Sequence, residues 1–267
     1  MDSGYPGLPK QRLKLKPQHQ TSRSLEYGVQ LLACFTAEQP ARQISELADE
    51  VGLGRSTAHR YAKTLVALGY LEQDRQSRYR LALRAGRPGT AIVGTIRLEA
   101  PAARTILEDL REQTGHTVTL AALDGTHALY LQRFYAHGTG QFEADLQLGI
   151  GVRVPVYCTA IGKALLTSLT EAERRAVIAS VTLEREGPNT VKTKRALTEQ
   201  LAQAREEDVA ICDEEQALGV RSIAAAIPHP GRSRPLAVSV TVPARLYTVE
   251  AMLARFAAPV RAAAKRI

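Results

Sequence analysis

Five polar side chains between residues 55 and 60 could form hydrogen bonds with the edges of DNA bases. They are Arg55, Ser56, Thr57, His59 and Arg60. An arginine can donate two hydrogen bonds to O6 and N7 of guanine, which discriminates against a wrong base by roughly 1–3 kcal/mol. Such contacts require the side chains to lie on one exposed helix face, so the surrounding elements decide whether this chemistry is available.

Residues 43–60, QISELADEVGLGRSTAHR, have the pattern of a helix-turn-helix. Apolar residues recur at a spacing of three to four and share one side of a short helix: Ile44, Leu47, Ala48, Val51 and Leu53. Gly52 lies where the chain must turn sharply, and Ser56 and Thr57 are expected to cap the next helix. Because the second helix of this motif enters the DNA major groove, we expect its N-terminal part to face the bases.

The segments on either side complete a winged domain. Residues 24–36, SLEYGVQLLACFT, carry a helical apolar stripe with Ser24 as N-cap, and the AEQPA segment that follows predicts a turn. Residues 43–51 predict the second helix and residues 55–68 the recognition helix, which Gly69 terminates. The sequence YLEQDRQSRYRLAL then predicts two short strands around the polar turn Asp74–Ser77, and this hairpin forms the wing.

Positive charge is concentrated in this part of the chain. The net charge is +8, residues 1–87 carry 14 Lys and Arg against 8 Asp and Glu, and most of those cations lie in residues 55–87. Clustered cations bind a phosphate backbone by releasing its counterions. We expect base contacts from Arg55, Ser56, Thr57 and His59, and phosphate contacts from Arg60, Lys63, Arg75 and Arg78. The alternatives are a solvated basic surface and, for Arg60, a salt bridge with Asp49 or Glu50.

The composition indicates a globular protein, and we expect it in the cytoplasm. The apolar fraction of 45% is ordinary, no apolar run approaches the roughly 18–20 residues that span a bilayer, and the basic N-terminus lacks the apolar core of a secretory signal. Three widely spaced cysteines, Cys34, Cys158 and Cys212, predict buried reduced thiols rather than disulfides or a zinc site. We expect no metal, no cofactor and no membrane partner.

Four segments are predicted along the chain. Residues 1–21 form a disordered basic arm, residues 22–83 the winged helix-turn-helix, residues 84–114 a linker (84–90) with a linker helix (96–114), and residues 115–267 a second domain. Strands of that domain are predicted on either side of Asp124-Gly125 and at 152–155, 209–212, 222–227 and 236–242. Its helices are predicted at 159–169, 171–181, 194–207 and 249–267. Antiparallel strands with the helices grouped on one side indicate an α+β fold.

Four stretches of the chain, covering about residues 22–267, resemble the IclR family of bacterial transcription regulators. They are SRSLEYGVQLLACF, ELADEVGLGRSTAHRYAKTLVALGYLE, VPVYCTAIGKALLTSL and DEEQALGVRSIAAAI. The resemblance implies a three-helix winged helix-turn-helix, a linker helix and a C-terminal GAF-like α/β effector domain with an antiparallel sheet. It also implies a dimer or dimer of dimers on a palindromic double-stranded DNA operator, with a small organic acid effector that adjusts operator affinity.

The same resemblance implies six effector-binding residues, which are Ala160, Ile161, Cys212, Ser222, Ser239 and Thr241. Free N–H groups at the start of the TAIGK helix favour an anion. Hydroxyl groups in apolar strands can bind a polar ligand, although each could equally bond to nearby backbone. The family often has an acidic residue where this chain has Cys212. The YCTAIGK and GVRSIA segments most resemble the branch that governs aromatic-acid catabolism.

Two other functions remain open from the sequence. A winged helix can serve as a protein-interaction module without touching DNA, but the cation excess of residues 55–87 argues against this alternative. Cys158 could be the nucleophile of a thiol hydrolase, yet no Gly-x-Ser-x-Gly, HExxH or GxxxxGK[ST] motif occurs. The VPVYC context predicts a strand that enters a helix, so we expect a regulator and not an enzyme.

Overall fold

The computed structural model describes residues 22–36, 39–91, 102–137, 148–228 and 234–267. Contacts divide the chain into two compact units, Met1–Gly94 and Thr95–Ile267. The predicted basic arm at 1–21 and the start of the predicted linker helix at 96–101 lie outside the described residues. Within the described ranges, no helix is both long and apolar enough to cross a membrane.

Three helices and a small sheet form the described part of the N-terminal unit. The helices are α1 (Arg23–Ala33), α2 (Ile44–Val51) and α3 (Arg55–Ala67), and the strands are β1 (Ala41–Arg42), β2 (Leu71–Gln73) and β3 (Tyr79–Leu81). The strands pair antiparallel in the order β1-β3-β2. One core joins the helices to the sheet, and its buried residues include Leu31, Leu47, Ala62, Leu71 and Tyr79. The predicted winged helix-turn-helix fold is confirmed.

The turn between α2 and α3 has the expected glycine but not the expected cap. Gly52 has a φ of 75°, the left-handed conformation that glycine adopts at low steric cost. Gly54 is the N-cap of α3, and no side chain caps this helix end. The predicted capping by Ser56 and Thr57 is wrong, because an N-cap residue needs an extended backbone and both residues are already helical.

The start of α1 has a side-chain cap, and the end of α3 has the glycine that the sequence predicts. The hydroxyl of Ser22, rather than that of Ser24, caps α1 by accepting the N–H of Leu25. Gly69 follows α3 with a φ of 75°, as its predicted role at the C-terminus requires. The helix boundaries of this unit therefore agree with the sequence pattern to within three residues, and the largest difference is at the end of α1.

Strand β1 is an addition that the sequence does not predict, since two residues are too few to show alternation. Arg42 holds this strand in place: its Nη1 lies 2.6 Å from Glu50 Oε2 on α2 and also donates to the carbonyl of Cys34. The wing is thus a three-stranded sheet, in which β1 pairs with β3.

Residues 84–90, the segment predicted as a linker, lie in helical structure. A 3-10 helix spans Leu83–Gly86, and residues 87–91 are helical. Arg84 donates from Nη1 to the carbonyl of Leu68 at the end of α3. Pro88 does not interrupt the helix, because the first helical turn needs no N–H donor at that position.

The C-terminal unit contains a six-stranded sheet in the order β6-β5-β4-β9-β8-β7, with every neighbouring pair antiparallel. Its strands are β4 (Thr117–Asp124), β5 (His127–Phe134), β6 (Arg153–Pro155), β7 (Ala210–Asp213), β8 (Val220–Ile227) and β9 (Leu236–Pro243). Its helices are α4 (Ala103–Thr114), α5 (Ala160–Thr167), α6 (Glu171–Ser180), α7 (Lys194–Glu206) and α8 (Val249–Arg266). The predicted hairpin is confirmed: Asp124 pairs with His127 around Gly125.

Helices cover both faces of this sheet, which corrects the prediction that they lie on one side. Helices α4 and α8 pack on one face, against Val118, Leu120, Val238 and Val240. Helices α5 and α7 pack on the other, against a cluster that includes Ala121, Ala224 and Ala237. Strands β4 and β9 are buried along most of their length, so neither face could be left to solvent. We call the second face the α5 face.

Candidate DNA-contacting helix and effector site

Helix α3 turns one face to the core and one to solvent. Ala58 and Ala62 are fully buried. The 3.6-residue period places Ser56, Arg60 and Lys63 on the opposite side, where all three are exposed. His59 is half-exposed at the edge of that side. Arg55 is exposed at the first position of the helix, whereas Thr57 is half-buried at the edge of this face. We call these exposed residues the α3 face.

The alternative salt bridge for Arg60 does not form. Glu50 pairs with Arg42 instead, and among the described residues Arg60 has no acidic partner within salt-bridge distance. Its guanidinium carbon lies 5.6 Å from the ring centroid of Tyr61, a spacing that permits a cation–π contact. Tyr61 and Leu65 pack against the core of the unit. The charge of Arg60 is therefore available at the α3 face.

The two wing arginines that are predicted to contact phosphate differ in their surroundings. Arg75 is exposed in the turn between β2 and β3. Arg78 forms an ion pair with Asp74, with 2.9 Å between Nε and Oδ2. The backbone N–H of Arg78 also binds this carboxylate and, ahead of the side chain, holds the pKa of Asp74 below its ordinary value. The charge of Arg78 is therefore partly compensated by Asp74, whereas within the described residues Arg75 forms no ion pair.

The start of α5 is fixed by a side-chain cap and a close backbone approach. Thr159 is the N-cap: its hydroxyl accepts the N–H of Gly162 at 3.2 Å and donates to the carbonyl of Pro155 at 2.8 Å. A Cβ on Gly162 would lie 2.3 Å from Val156 Cα, so only glycine fits there. Ala160 and Ile161, the two residues that follow Thr159, are buried in the cluster on the α5 face. The first turn of α5 therefore points its partial positive charge into the protein interior.

Four of the six predicted effector residues share the α5 face of the sheet. Cys212, Ser222 and Thr241 are directly opposite one another on β7, β8 and β9, and the row continues to Thr117 on β4. Ser239 lies in the next row, two residues along β9. We call the row formed by Cys212, Ser222 and Thr241, with Thr117 at its end, the hydroxyl row. Cys212 packs in the same buried cluster as Ala160 and Ile161, so the structure brings the α5 residues to this part of the sheet as well.

The α5 face carries two more polar residues that the sequence alone does not identify. Thr117 continues the hydroxyl row, and Thr119 lies opposite Ser239. Both are buried. The alternating pattern of HTVTLAALDG contains them, but alternation alone does not reveal which face of a strand a ligand would meet.

All three cysteines are free and buried, as predicted. Cys212 donates its thiol to the carbonyl of Cys158 at 3.2 Å. Burial raises the pKa of Cys158 well above its ordinary value and also raises that of Cys212. A reactive cysteine needs a lowered pKa and some exposure, and Cys158 has neither, so the thiol-hydrolase alternative loses its nucleophile.

A buried ion pair ties α5 to the segment after β7. Lys163 Nζ lies 2.5 Å from Glu215 Oε1 and 2.9 Å from the carbonyl of Ile211, and both charged residues are less than 5% exposed. Burial raises the pKa of Glu215, while the charge of Lys163 opposes that change. A pair removed from water in this way requires both partners, since either charge alone would be left uncompensated. The sequence offers only a lysine in an apolar helix and a glutamate in an acidic run as signals.

A cavity of about 260 Å³ lies along strand β7 and helix α7. Lys163, Gln200, Glu207 and Glu215 are among its lining residues, and none of the six predicted effector residues lines it. This cavity is therefore distinct from the hydroxyl row.

Comparison with known proteins gives a consistent result across both units. Residues 24–75 match the family described as the IclR helix-turn-helix domain, and residues 96–267 match the family described as bacterial transcriptional regulator IclR C-terminal. The HTH-type transcriptional regulator XynR of Escherichia coli (strain K12) is 34% identical over 203 residues, which is 76% of this chain and 79% of XynR.

Two solved structures illustrate the similarity in fold. Regulator RHA06195 from Rhodococcus sp. RHA1 is 27% identical, with a TM-score of 0.74 over 92% of this chain and 96% of that one. An IclR homolog from Microbacterium hydrocarbonoxydans, complexed with 4-hydroxybenzoate, is 25% identical, with a TM-score of 0.75 over 90% of this chain and 95% of that one.

Proposed function

We propose, for a chain that belongs to the IclR family of DNA-binding transcriptional regulators, that a small organic acid bound on the α5 face of its C-terminal domain controls operator affinity. The observation that carries this proposal is the convergence on one face of the hydroxyl row, Ser239 and the first turn of α5. A buried site of this kind offers apolar walls with a few directed polar groups, as small-molecule sites commonly do.

The chemistry of the α5 face favours a ligand with both a carboxylate and a second polar group. The first turn of α5 provides partial positive charge for the anion. The hydroxyls of Ser222, Ser239 and Thr241 can donate to or accept from a further polar group. Cys212 adds no negative charge, because burial keeps its thiol protonated. An aromatic hydroxy acid, such as the 4-hydroxybenzoate bound by the Microbacterium homolog, fits this chemistry.

On the DNA side, we assign different tasks to two groups of residues. Arg55, Ser56, Thr57 and His59 read base edges, because the N-terminal part of a recognition helix faces the bases. Arg60, Lys63, Arg75 and Arg78 position the domain on phosphates. The half-burial of Thr57 and the ion pair of Arg78 make these two the weakest members of their groups.

Control of DNA binding requires that the acid favours one arrangement of the protein. Two copies of the chain, or two such dimers, would place a pair of α3 faces on the half-sites of a palindromic operator. The effector domain at residues 115–267 then acts through the linker at 84–114 on the winged domain at 22–83. An effector changes DNA affinity only by its own differential affinity for the two arrangements, typically 1–3 kcal/mol.

Operator binding with and without candidate acids tests this proposal. A high-affinity DNA site is first selected from random sequences with the full chain, and its affinity is measured by fluorescence anisotropy. We expect at least one acid among 4-hydroxybenzoate, benzoate, pyruvate and glyoxylate to change that affinity by about fivefold or more. If the protein binds one of these acids and operator affinity changes by less than about twofold with each, the proposed control is absent.

A further inference from the structure

The cavity between strand β7 and helix α7, with a volume of about 260 Å³, carries an excess of negative charge. We call it the α7 cavity. One positive charge in its lining stands against three negative ones, since its charged residues are Lys163, Glu207, Asp213 and Glu215. Asn189 and Gln203 also line the cavity and are exposed, so it is open to solvent on their side. A small molecule can therefore enter from solution.

The buried part of the lining holds carboxylate and amide oxygens that lack a donor. Glu215 is 4% exposed, and its Oε1 accepts a hydrogen bond from Lys163. The ammonium group of Lys163 donates a second hydrogen bond to the carbonyl of Ile211. Glu215 Oε2 has no hydrogen-bond partner among the described residues, and the same is true of the buried Oε1 of Gln200. Because a buried acceptor without a donor is unfavourable, a ligand that brings donors into this cavity is favoured.

The other side-chain amides of the lining are directed to different acceptors. Nδ2 of Asn189 donates to the carbonyl of Asp213, and Nε2 of Gln203 donates to Glu207 Oε1. The carboxylate of Asp213 is paired with Arg221, with 2.5 Å between Oδ1 and Nε. Glu207 is half-exposed and forms no ion pair with any residue that the structure describes. The charge of Glu207 therefore remains available to a cation at the open side of the cavity.

These features match a small organic cation with several N–H groups. An ammonium group has three donors and no acceptor, and the carboxylates of Glu207 and Glu215 attract its charge. A metal ion matches less well, because within the described ranges no three His, Cys, Asp or Glu side chains are grouped in a way that could hold one. Pockets for drug-sized ligands have volumes of roughly 300–1,000 Å³, so the α7 cavity suits a smaller molecule.

We propose that the α7 cavity is a separate ligand site, which binds a small primary amine as its ammonium cation. Glu207 attracts the cation at the open side, and Glu215 Oε2 accepts a hydrogen bond from it in the buried part. None of the six residues assigned to the acid lines this cavity. The amine site is therefore independent of the proposed function.

Amines and matching alcohols test this site. Isothermal titration calorimetry on the full chain, at constant ionic strength and near neutral pH, measures binding of propylamine, ethanolamine and 1,3-diaminopropane, and of 1-propanol and 1,3-propanediol. We expect at least one amine to bind at a single site per chain and at least about tenfold more tightly than either alcohol, because its hydrogen bonds are charge-assisted. Tetramethylammonium has the charge but no N–H donor, so it should bind as weakly as the alcohols.

Glu207→Gln removes one negative charge from the lining and leaves the pair of Lys163 and Glu215 intact. We expect this variant to bind the amine at least about tenfold more weakly than the wild type, because a charge-assisted contact is lost. Glu206→Gln is the matched control. Glu206 precedes Glu207 in the chain, is exposed and does not line the cavity, so its variant should bind the amine within about twofold of wild type.

The results that would overturn the amine site differ from one another. If no amine binds more tightly than the alcohols, the cavity does not recognise an ammonium group. An amine affinity that Glu207→Gln leaves within about twofold of wild type places the ligand elsewhere, and equal losses in both variants mean that overall charge attracts the amine. Binding of calcium ions without binding of any amine would identify a metal site instead. None of these results affects the proposed control by an acid.

Discussion

Gly162→Ala is expected to destabilise the C-terminal unit by about 3 kcal/mol or more, because the added methyl group has no space. Its Cβ would lie 2.3 Å from Val156 Cα and 2.6 Å from Val156 O, which are backbone atoms that cannot rotate away. Inserting atoms into a packed interior typically costs 1–3 kcal/mol, and a fixed backbone neighbour places this site at the upper end or beyond. Thermal unfolding should show a midpoint lower by roughly 10 °C. The same displacement would move the first turn of α5, so affinity for any effector should also fall.

Gly28→Ala provides the matched control for that substitution. Gly28 lies inside α1, and a Cβ there would meet nothing within 4 Å. Alanine has the higher helix propensity by about 1 kcal/mol, so this variant should be as stable as the wild type or more so. A Gly162→Ala protein with a wild-type unfolding midpoint would show that α5 does not approach the backbone of Val156 as closely as described.

The double variant Arg55→Ala, Arg60→Ala is expected to lose DNA affinity by at least about 100-fold. Arg55 is assigned one base contact, at roughly 1–3 kcal/mol, and Arg60 one phosphate contact. Loss of a phosphate contact also makes the dependence of log K on log salt shallower by about one. Fluorescence anisotropy over a series of salt concentrations measures both effects. Stability should change little, since both side chains are exposed and neither forms an ion pair within the described residues.

A second double variant, Arg175→Ala with Arg195→Ala, controls for the change in net charge. Both arginines are exposed on the C-terminal unit, at α6 and α7, and within the described ranges they pair only with glutamates one turn away. We expect this protein to bind the operator within about threefold of wild type, because all of the assigned base and phosphate contacts come from the N-terminal unit. Equal losses in the two double variants would mean that total charge, and not the α3 face, determines DNA affinity.

The sequence predicts the local elements well because their signals are local. The apolar spacing in α2, Gly52 and Gly69 together indicate the helix-turn-helix without any tertiary information. The Asp124-Gly125 turn indicates its hairpin for the same reason. The sequence predicts the wrong residues as the cap of α3, because capping depends on where the backbone first becomes helical and a shift of two residues changes the result.

The features that shape the α5 face depend on contacts between distant residues, and no local pattern contains them. Lys163 and Glu215 are 52 positions apart, and only the fold shows that they form a buried ion pair. Strand β5 has one extra residue where it pairs with β4, and a one-residue shift in register exchanges the two faces of a strand. Strands β4 and β9 have apolar or buried residues on both faces, so the sheet requires helices on both. The apolar residues of these strands do not indicate which helix packs on which face.

Coupling between the acid and the DNA is most directly tested from the side of the acid. Isothermal titration of an acid into the full chain, with and without saturating operator DNA, yields two dissociation constants for the same site. Linkage requires DNA to change the affinity of the acid by the factor by which the acid changes the affinity of the DNA. We expect the two factors to agree and to be about fivefold or larger. Acid affinities that agree within about twofold with and without operator would contradict control of DNA binding through the α5 face.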